Sequence, residues 1–341
     1  MLSIPAFIFI IEIIFSIIPV NTYFENRFFI VNRSLDYTEV FKRDPYLFWR
    51  FRSSQTITSQ FFEGKRYHIN SLGLRDKEIP APSDKIRIAA LGNSCTFGWG
   101  LPDSETYIKQ TEWIINNDSS LPRVETINAG IPGYSSFQGR RFFISDISGL
   151  RPDIILIMFA WNDQWAAADN IPDNEQKPPP KVIVNIQNLF SRLKIYRLIK
   201  KLILSMSEGP LLEKLIKKSP VYRVSFVDFY DNLNTIVNYA RSRHIIPILL
   251  TSPIPSLEKY YPPGRHSMMH LYHEYYNMQT RLLARNTQTP LIDIAKEFDN
   301  YNYLYDDAPQ DPIHFNVKGH HLAAQLIYKY LKANPELISH R

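Results

Sequence analysis

Four short motifs carry side chains able to do nucleophilic acyl chemistry. The first is Gly92-Asn93-Ser94-Cys95-Thr96-Phe97-Gly98, which follows the apolar run Ile86–Leu91. A buried strand ending there sets a serine hydroxyl at the C-terminal edge of a sheet, where open α/β folds bind ligands, and beside a helix start that favours negative charge. A hydroxyl is a weak nucleophile until a base accepts its proton, and the base needs an acid to orient it. Asp311 and His314, in Asp311-Pro312-Ile313-His314, stand near the other end of the sequence. Three residues apart on one helical turn they share a face, so Asp311 can hold the ring while its second nitrogen reaches Ser94. The alternative is that Asp311 caps the final helix and His314 is incidental.

Acyl transfer also needs donors for the oxyanion of a tetrahedral intermediate. Two places offer them. Asn128-Ala129-Gly130-Ile131-Pro132-Gly133-Tyr134 follows the run Val124–Asn128, and Ala160-Trp161-Asn162-Asp163 follows Ile154–Phe159. A glycine leaves its N–H open to a ligand, and an asparagine presents an amide. Taken singly, Gly133 is equally an ordinary turn glycine and Asn162 an Asx-turn or helix cap.

The elements that must position these residues alternate. Buried strands are expected at Ile86–Leu91, Val124–Asn128, Ile154–Phe159, Ile246–Thr251 and Leu291–Asp293. Helices are expected at Tyr107–Asn116, Ser136–Leu150, Phe226–Ser242, His270–Asn286 and Lys318–Lys332. Alternation of this kind predicts a mostly parallel sheet covered by helices on both faces. Before it, Tyr37–Ile79 is rich in aromatics and β-formers. Asp44–Arg50 and Tyr67–Asn70 read there as short strands, Ser71–Asp76 as a turn, and Pro80 and Pro82 as a linker. Gln164–Pro220 interrupts the alternation and reads as an insertion or lid that sets substrate choice. Within it, Asn188–Met206 has helical periodicity with Arg and Lys between the apolar positions. Such a helix either packs on the domain with a solvated cationic face or lies on an anionic membrane.

The totals exclude several classes. Of 341 residues, 45% are hydrophobic and 13% aromatic, so a substantial core is available and global disorder is excluded. The net charge of +6 is mild, with no Lys/Arg block dense enough for nucleic-acid binding. Cys95 is the single cysteine, which rules out an internal disulfide and a cysteine-based metal site; beside Ser94 it reads as small buried packing. Leu2–Val20 is apolar apart from Ser3, Glu12 and Ser16. As a helix it would span roughly 28 Å, which predicts a single transmembrane anchor over residues 1–21. A signal peptide would want a basic n-region and a small-residue cleavage site, and neither is visible. The basic residues Arg27, Arg33, Lys42, Arg43, Arg50 and Arg52 follow the segment, and the positive-inside rule then puts the remainder in the cytoplasm.

Taken together and in this order, the four motifs resemble the SGNH/GDSL hydrolase family over about Lys85–Leu331. Flanking features join the resemblance: Thr96-Phe97-Gly98-Trp99-Gly100, Glu105-Thr106-Tyr107, Asn128-Ala129-Gly130 and Gly319-His320. Ile69-Asn70-Ser71-Leu72-Gly73-Leu74-Arg75-Asp76 looks like the lead-in of membrane-anchored bacterial members. The resemblance implies a three-layer α/β/α sandwich with a five-stranded, flavodoxin-like sheet at 85–341, preceded by a β-rich extension at 22–84. It implies Ser94 as nucleophile, His314 as base and Asp311 as its orienting acid. The Ser94 and Gly133 N–H groups and the Asn162 amide would form the oxyanion hole. No metal or organic cofactor is required. One departure is Asn93, where the family commonly has aspartate; asparagine keeps the size and the hydrogen-bonding reach, so activity is expected to survive. The implied activity is cleavage of an acyl or acetyl ester on a lipid or an envelope polysaccharide. An O-acyltransferase would use the same residues, and an inactive membrane-anchored scaffold would keep only the fold. The resemblance favours the extracytoplasmic side, against the charge rule. Oligomeric state is not legible.

Overall fold

Short runs rich in Ile and Leu, of which Ile154–Met158 is the most apolar, build the centre of the main sheet. In the computed structural model of the protein, residues 40–58, 65–82, 84–167, 170–191, 193, 195–196, 221–255, 265–299 and 301–338 are described. The expected membrane anchor at 1–21, residues 22–39 of the expected extension and most of the insertion beyond Ser191 lie outside them. Among the described residues, no helix is long and apolar enough to cross a membrane.

Two compact units partition the described chain, one taking residues up to Arg52 together with 166–221, the other 53–165 with 222–341. In the first, β1 (Phe41–Asp44) and β2 (Phe48–Phe51) pair antiparallel. The single strand expected over Asp44–Arg50 is therefore a hairpin. Asp44 Oδ1 accepts the amides of Tyr46 and Leu47, both at 2.8 Å, and turns the chain at Pro45. A helix at Lys181–Phe190 starts where the proline run 178–180 stops, and the Asn188 side chain closes on both backbone groups of Arg43 at 2.9 Å. The helix expected over Asn188–Met206 overlaps only its last turn; 192, 194 and 197–220 lie outside the described residues.

The second unit opens with β3 (Gln55–Thr58) and β4 (Arg66–Ile69), an antiparallel pair. It then builds a five-stranded parallel sheet from β5 (Ile86–Gly92), β6 (Val124–Gly130), β7 (Ile154–Met158), β8 (Ile246–Leu250) and β9 (Leu291–Ile292), in the order β6-β5-β7-β8-β9. Alternate residues of these strands face opposite sides. Ile88, Ala90, Ile154, Leu156, Met158, Ile248 and Leu250 share one cluster with Tyr107, Ile108 and Ile115 of the helix Tyr107–Asn116, and with Ala323, Ile327 and Leu331 of the helix Val317–Ala333. The other face meets the helices Ser136–Ser145 and Phe226–Ser242. Every residue of β5 and β7 is buried, as covering on both faces requires. At about 1.5–3 kcal/mol for each fully buried Ile or Leu, this sheet is the rigid part of the unit. The helix expected over 136–150 ends instead at Ser145. Asp146 leaves the helical region, and a 3-10 turn, Ile147–Leu150, completes the segment. The chain leaves β5 toward β6 on one side and later crosses to β7 on the other. The carboxyl end of β5 is thus the point where strand order reverses, the usual seat of a ligand crevice.

Candidate active site

Ser94 stands two residues beyond β5. Gly92, the last residue of that strand, is in register with Gly130 of β6 and Met158 of β7, so three strand ends lie level. The short helix Ser94–Phe97 begins there, capped by Asn93, whose Oδ1 accepts the Cys95 amide at 3.0 Å. Only a carbonyl oxygen is needed for that bond, so asparagine serves as a cap without a charge. The helix sits so close to the sheet that side chains are excluded at both strand ends. A Cβ on Gly92 would come within 2.1 Å of Thr96 Oγ1, and one on Gly130 within 2.2 Å of the Phe97 nitrogen. Both glycines are there for close approach.

His314 joins Ser94 from 220 residues away in sequence: its Nε2 lies 2.8 Å from Ser94 Oγ. Its Nδ1 lies 2.7 Å from Asp311 Oδ2. Burial works to raise the Asp311 carboxyl, but hydrogen bonds from the His314 ring and from the His314 and Ile313 amides outweigh it and hold the group below its ordinary value. An ionised carboxylate can only accept, so Nδ1 of the neutral ring carries the proton. Nε2 is then an acceptor, and the Ser94 hydroxyl donates to it. Asp311 and His314 do not meet on a helical turn as the spacing predicts. Residues 311–314 are non-helical; Asp311 Oδ1 accepts the amides of Ile313 and His314, both at 3.1 Å, in a tight turn folded by the aspartate itself. The final helix is capped by Asn316, not by Asp311. The Trp99 indole stacks on the imidazole, with centroids 5.3 Å apart and planes at 12°.

Gly133 and Asn162 follow the neighbouring strand ends. Gly133 has φ +82°, a left-handed conformation that favours glycine. Among the described residues no acceptor takes its N–H, while its carbonyl accepts Arg223 Nη1 at 2.6 Å. Asn162 is buried and donates one Nδ2 hydrogen to the Tyr134 carbonyl at 3.1 Å, beside Gly133. An amide has two such hydrogens, so one remains for a ligand. The Ser94 amide, first of its helix, has no intrahelical acceptor. Ala160, two residues before Asn162, adopts φ +144°, a conformation that costs an alanine about 1–3 kcal/mol and redirects the chain into the Asn162 turn. The five residues singled out from the sequence thus gather at one sheet edge, three of them in a single hydrogen-bonded chain.

Three further buried groups lie outside the reacting chain. The Cys95 thiol is buried, donates to the Ile313 carbonyl at 3.3 Å, and is pushed well up by burial, the opposite of a reactive thiol. His273 packs on Trp161, with centroids 4.3 Å apart. Its Nε2 donates to the Ser252 carbonyl at 2.8 Å, and burial pushes its pKa down to about 3, so the ring is neutral. His320 is likewise buried and held well below its ordinary range by desolvation; its Nδ1 accepts the Tyr107 amide at 2.9 Å at the start of the helix Tyr107–Asn116. The Gly319-His320 pair and the Asn70–Asp76 lead-in were the available signals for His320 and Arg75. For His273 and Ala160 the sequence offers none.

A family model described as GDSL-like lipase/acylhydrolase matches residues 90–322. No curated protein matches the chain. Among solved structures, a lipase/acylhydrolase from Enterococcus faecalis is similar with a TM-score of 0.47 at 18% identity, over 73% of this chain and 96% of that one. A GDSL-like lipase from Bacteroides thetaiotaomicron gives 0.45 at 15% identity, over 75% and 92%. A variant acetyl xylan esterase from Geobacillus stearothermophilus gives 0.47 at 14% identity, over 73% and 97%.

Proposed function

The chain belongs to the GDSL-like lipase/acylhydrolase family and is an ester-bond hydrolase, and from that premise we propose that it is a serine esterase working through Ser94, His314 and Asp311. The observation that carries the reading is the continuous chain from Ser94 Oγ to His314 Nε2 at 2.8 Å and from His314 Nδ1 to Asp311 at 2.7 Å. Ser94 Oγ attacks the ester carbonyl as its proton passes to Nε2. Asp311 keeps the ring in the tautomer that can accept that proton and stabilises the imidazolium that results. The carbonyl oxygen becomes an oxyanion held by the Ser94 and Gly133 N–H groups and by Asn162 Nδ2. Collapse breaks the bond to the leaving oxygen, which takes the proton from Nε2 and departs as an alcohol, leaving an acyl-serine. Water, deprotonated by the same nitrogen, attacks the acyl carbon and releases the acid and free Ser94.

The substrate class proposed is an acyl or acetyl ester on a lipid or carbohydrate. The apolar segment at 1–21 is proposed to tether the enzyme to a membrane with its active unit outside the cytoplasm; a reporter fused after Arg341 and active on one side only tests this. For the reaction itself, the full chain is assayed on p-nitrophenyl acetate. The reading expects turnover by the unaltered protein and background rates from Ser94→Ala, and an undiminished rate in that variant removes Ser94 from the mechanism.

A further inference from the structure

Arg75 lies outside the reacting groups, yet its side chain is wholly buried. A guanidinium is held in such a place only when its donors are met. Nε donates to Asp103 Oδ1 at 2.5 Å, Nη1 to the carbonyls of Phe97 at 2.8 Å and Gly98 at 2.6 Å, and Nη2 to the carbonyl of Leu101. Three of these acceptors belong to one turn, the turn that leaves the Ser94 helix. The Tyr67 and Phe97 rings pack against its guanidinium, with centroids 4.1 and 4.7 Å from Arg75 Cζ and 5.1 Å from each other.

The turn itself is made of unusual backbone. Gly98 and Gly100 have φ of +81° and +78°, and the Gly100 amide donates to Tyr67 Oη at 2.9 Å. Trp99 sits between the two glycines, and it is Trp99 that stacks on His314. Arg75 is delivered by its own folded loop. Asn70 Oδ1 accepts the amides of Leu72 and Leu74 at 3.0 Å, and the next residue, Asp76, accepts the amide of Asn128 at 3.0 Å. Adjacent residues therefore anchor the turn after the nucleophile and the strand before Gly133.

We propose that Arg75 is a positioning residue for ester hydrolysis: by fixing the Phe97–Leu101 turn it sets the Trp99 indole as the wall that keeps His314 in line with Ser94. The proposal rests on the reading of His314 as the base. Lysine at 75 supplies a point charge in place of a planar fork and cannot bridge three carbonyls and a carboxylate. Small displacements of a reacting group are expensive in rate, whereas the ester still binds.

The test is a kinetic cycle on the full chain with p-nitrophenyl acetate, using Arg75→Lys, Tyr67→Phe and Trp99→Ala singly and in pairs, with thermal melts to show that each variant folds. Arg75→Lys is expected to lower kcat by about tenfold with KM within about twofold. Tyr67→Phe, which removes the hydroxyl that accepts the Gly100 amide, is expected to lower kcat by about threefold. Neither loss should multiply with that of Trp99→Ala, because all act through one indole. A folded Arg75→Lys with unchanged kcat, or losses that multiply in the double variants, overturns the proposal. Should Arg75→Lys not fold, Tyr67→Phe and its pairing with Trp99→Ala decide on the same criteria. Failure of the underlying reading is distinct: Ser94→Ala or His314→Ala would then retain activity, whatever Arg75 does.

Discussion

Replacing Asp311 with asparagine preserves shape and removes one charge, and the turn at 311–314 makes its consequence calculable. One aspartate oxygen faces His314 Nδ1, and the other accepts two amides, those of Ile313 and His314. An asparagine has one oxygen for these two jobs. With its NH2 toward the ring, Nδ1 must accept, the ring proton moves to Nε2, and the base for Ser94 is lost. With its oxygen toward the ring, the NH2 opposes two N–H donors. Two lost hydrogen bonds at about 1–3 kcal/mol each disfavour that productive orientation by roughly 2–6 kcal/mol, or about 30-fold to about 10⁴-fold. The Asp311 side chain is 41% exposed, so water recovers part of the loss and the lower part of the range applies. Asp311→Asn is therefore expected to lower kcat by about thirtyfold to a few hundredfold. It should be at least as damaging as Asp311→Ala, which forces no tautomer. Initial rates on p-nitrophenyl acetate, normalised to folded protein, read the comparison. An asparagine variant keeping more than about a tenth of the activity would refute the tautomer argument.

Three further outcomes are expected. Asn162→Ala removes one oxyanion donor and should raise the barrier by about 3–4 kcal/mol with little change in KM; a rise confined to KM would assign Asn162 to ground-state binding instead. Gly130→Ala drives a Cβ to 2.2 Å from the Phe97 nitrogen and should destabilise the fold by roughly 1–3 kcal/mol while depressing activity, whereas a variant that melts and turns over like the unaltered protein would contradict the close packing described. His273 binds a proton at about 3 in the folded chain against 6.5 otherwise. The unfolded state thus takes up the extra proton between these values, and the stability from the neutral ring, complete above 6.5, declines as pH falls below it. The slope is up to about 1.4 kcal/mol per pH unit, so urea midpoints at pH 7.5 and 5 should separate, and less so in His273→Gln; a stability flat across that interval would count against a buried neutral ring.

The parts of the site carried by local pattern were legible in the sequence. The apolar runs Ile88–Gly92 and Ile154–Met158 are short, and the second is rich in Ile, as strands buried on both faces are. The order of Ser94, Gly133, Asn162 and Asp311–His314 then follows from sheet topology. What was not legible depends on side chains reaching across the chain or folding their own backbone. The Asp311 turn is one case: residue spacing suits a helix, but two amide bonds to a single carboxylate hold a different conformation. Asp44 does the same in the first unit, converting an expected strand into a hairpin. Arg75 is the other kind, since three of its four acceptors are backbone carbonyls, at 97, 98 and 101, and carbonyls leave no mark on residue identity. The partition that groups Phe41–Phe51 with the residues around Lys181–Phe190 is hidden for the same reason, because the Asn188 bonds to Arg43 are made to backbone.

Ser94, activated by His314, is proposed as the group that acquires the acyl chain. A fluorophosphonate probe forms a covalent bond only with a serine so activated, and digestion of the labelled full-length chain locates it. One labelled peptide containing Ser94 is expected, with labelling abolished in Ser94→Ala and strongly slowed in His314→Ala. Label on a peptide lacking Ser94, or undiminished labelling in Ser94→Ala, would contradict it.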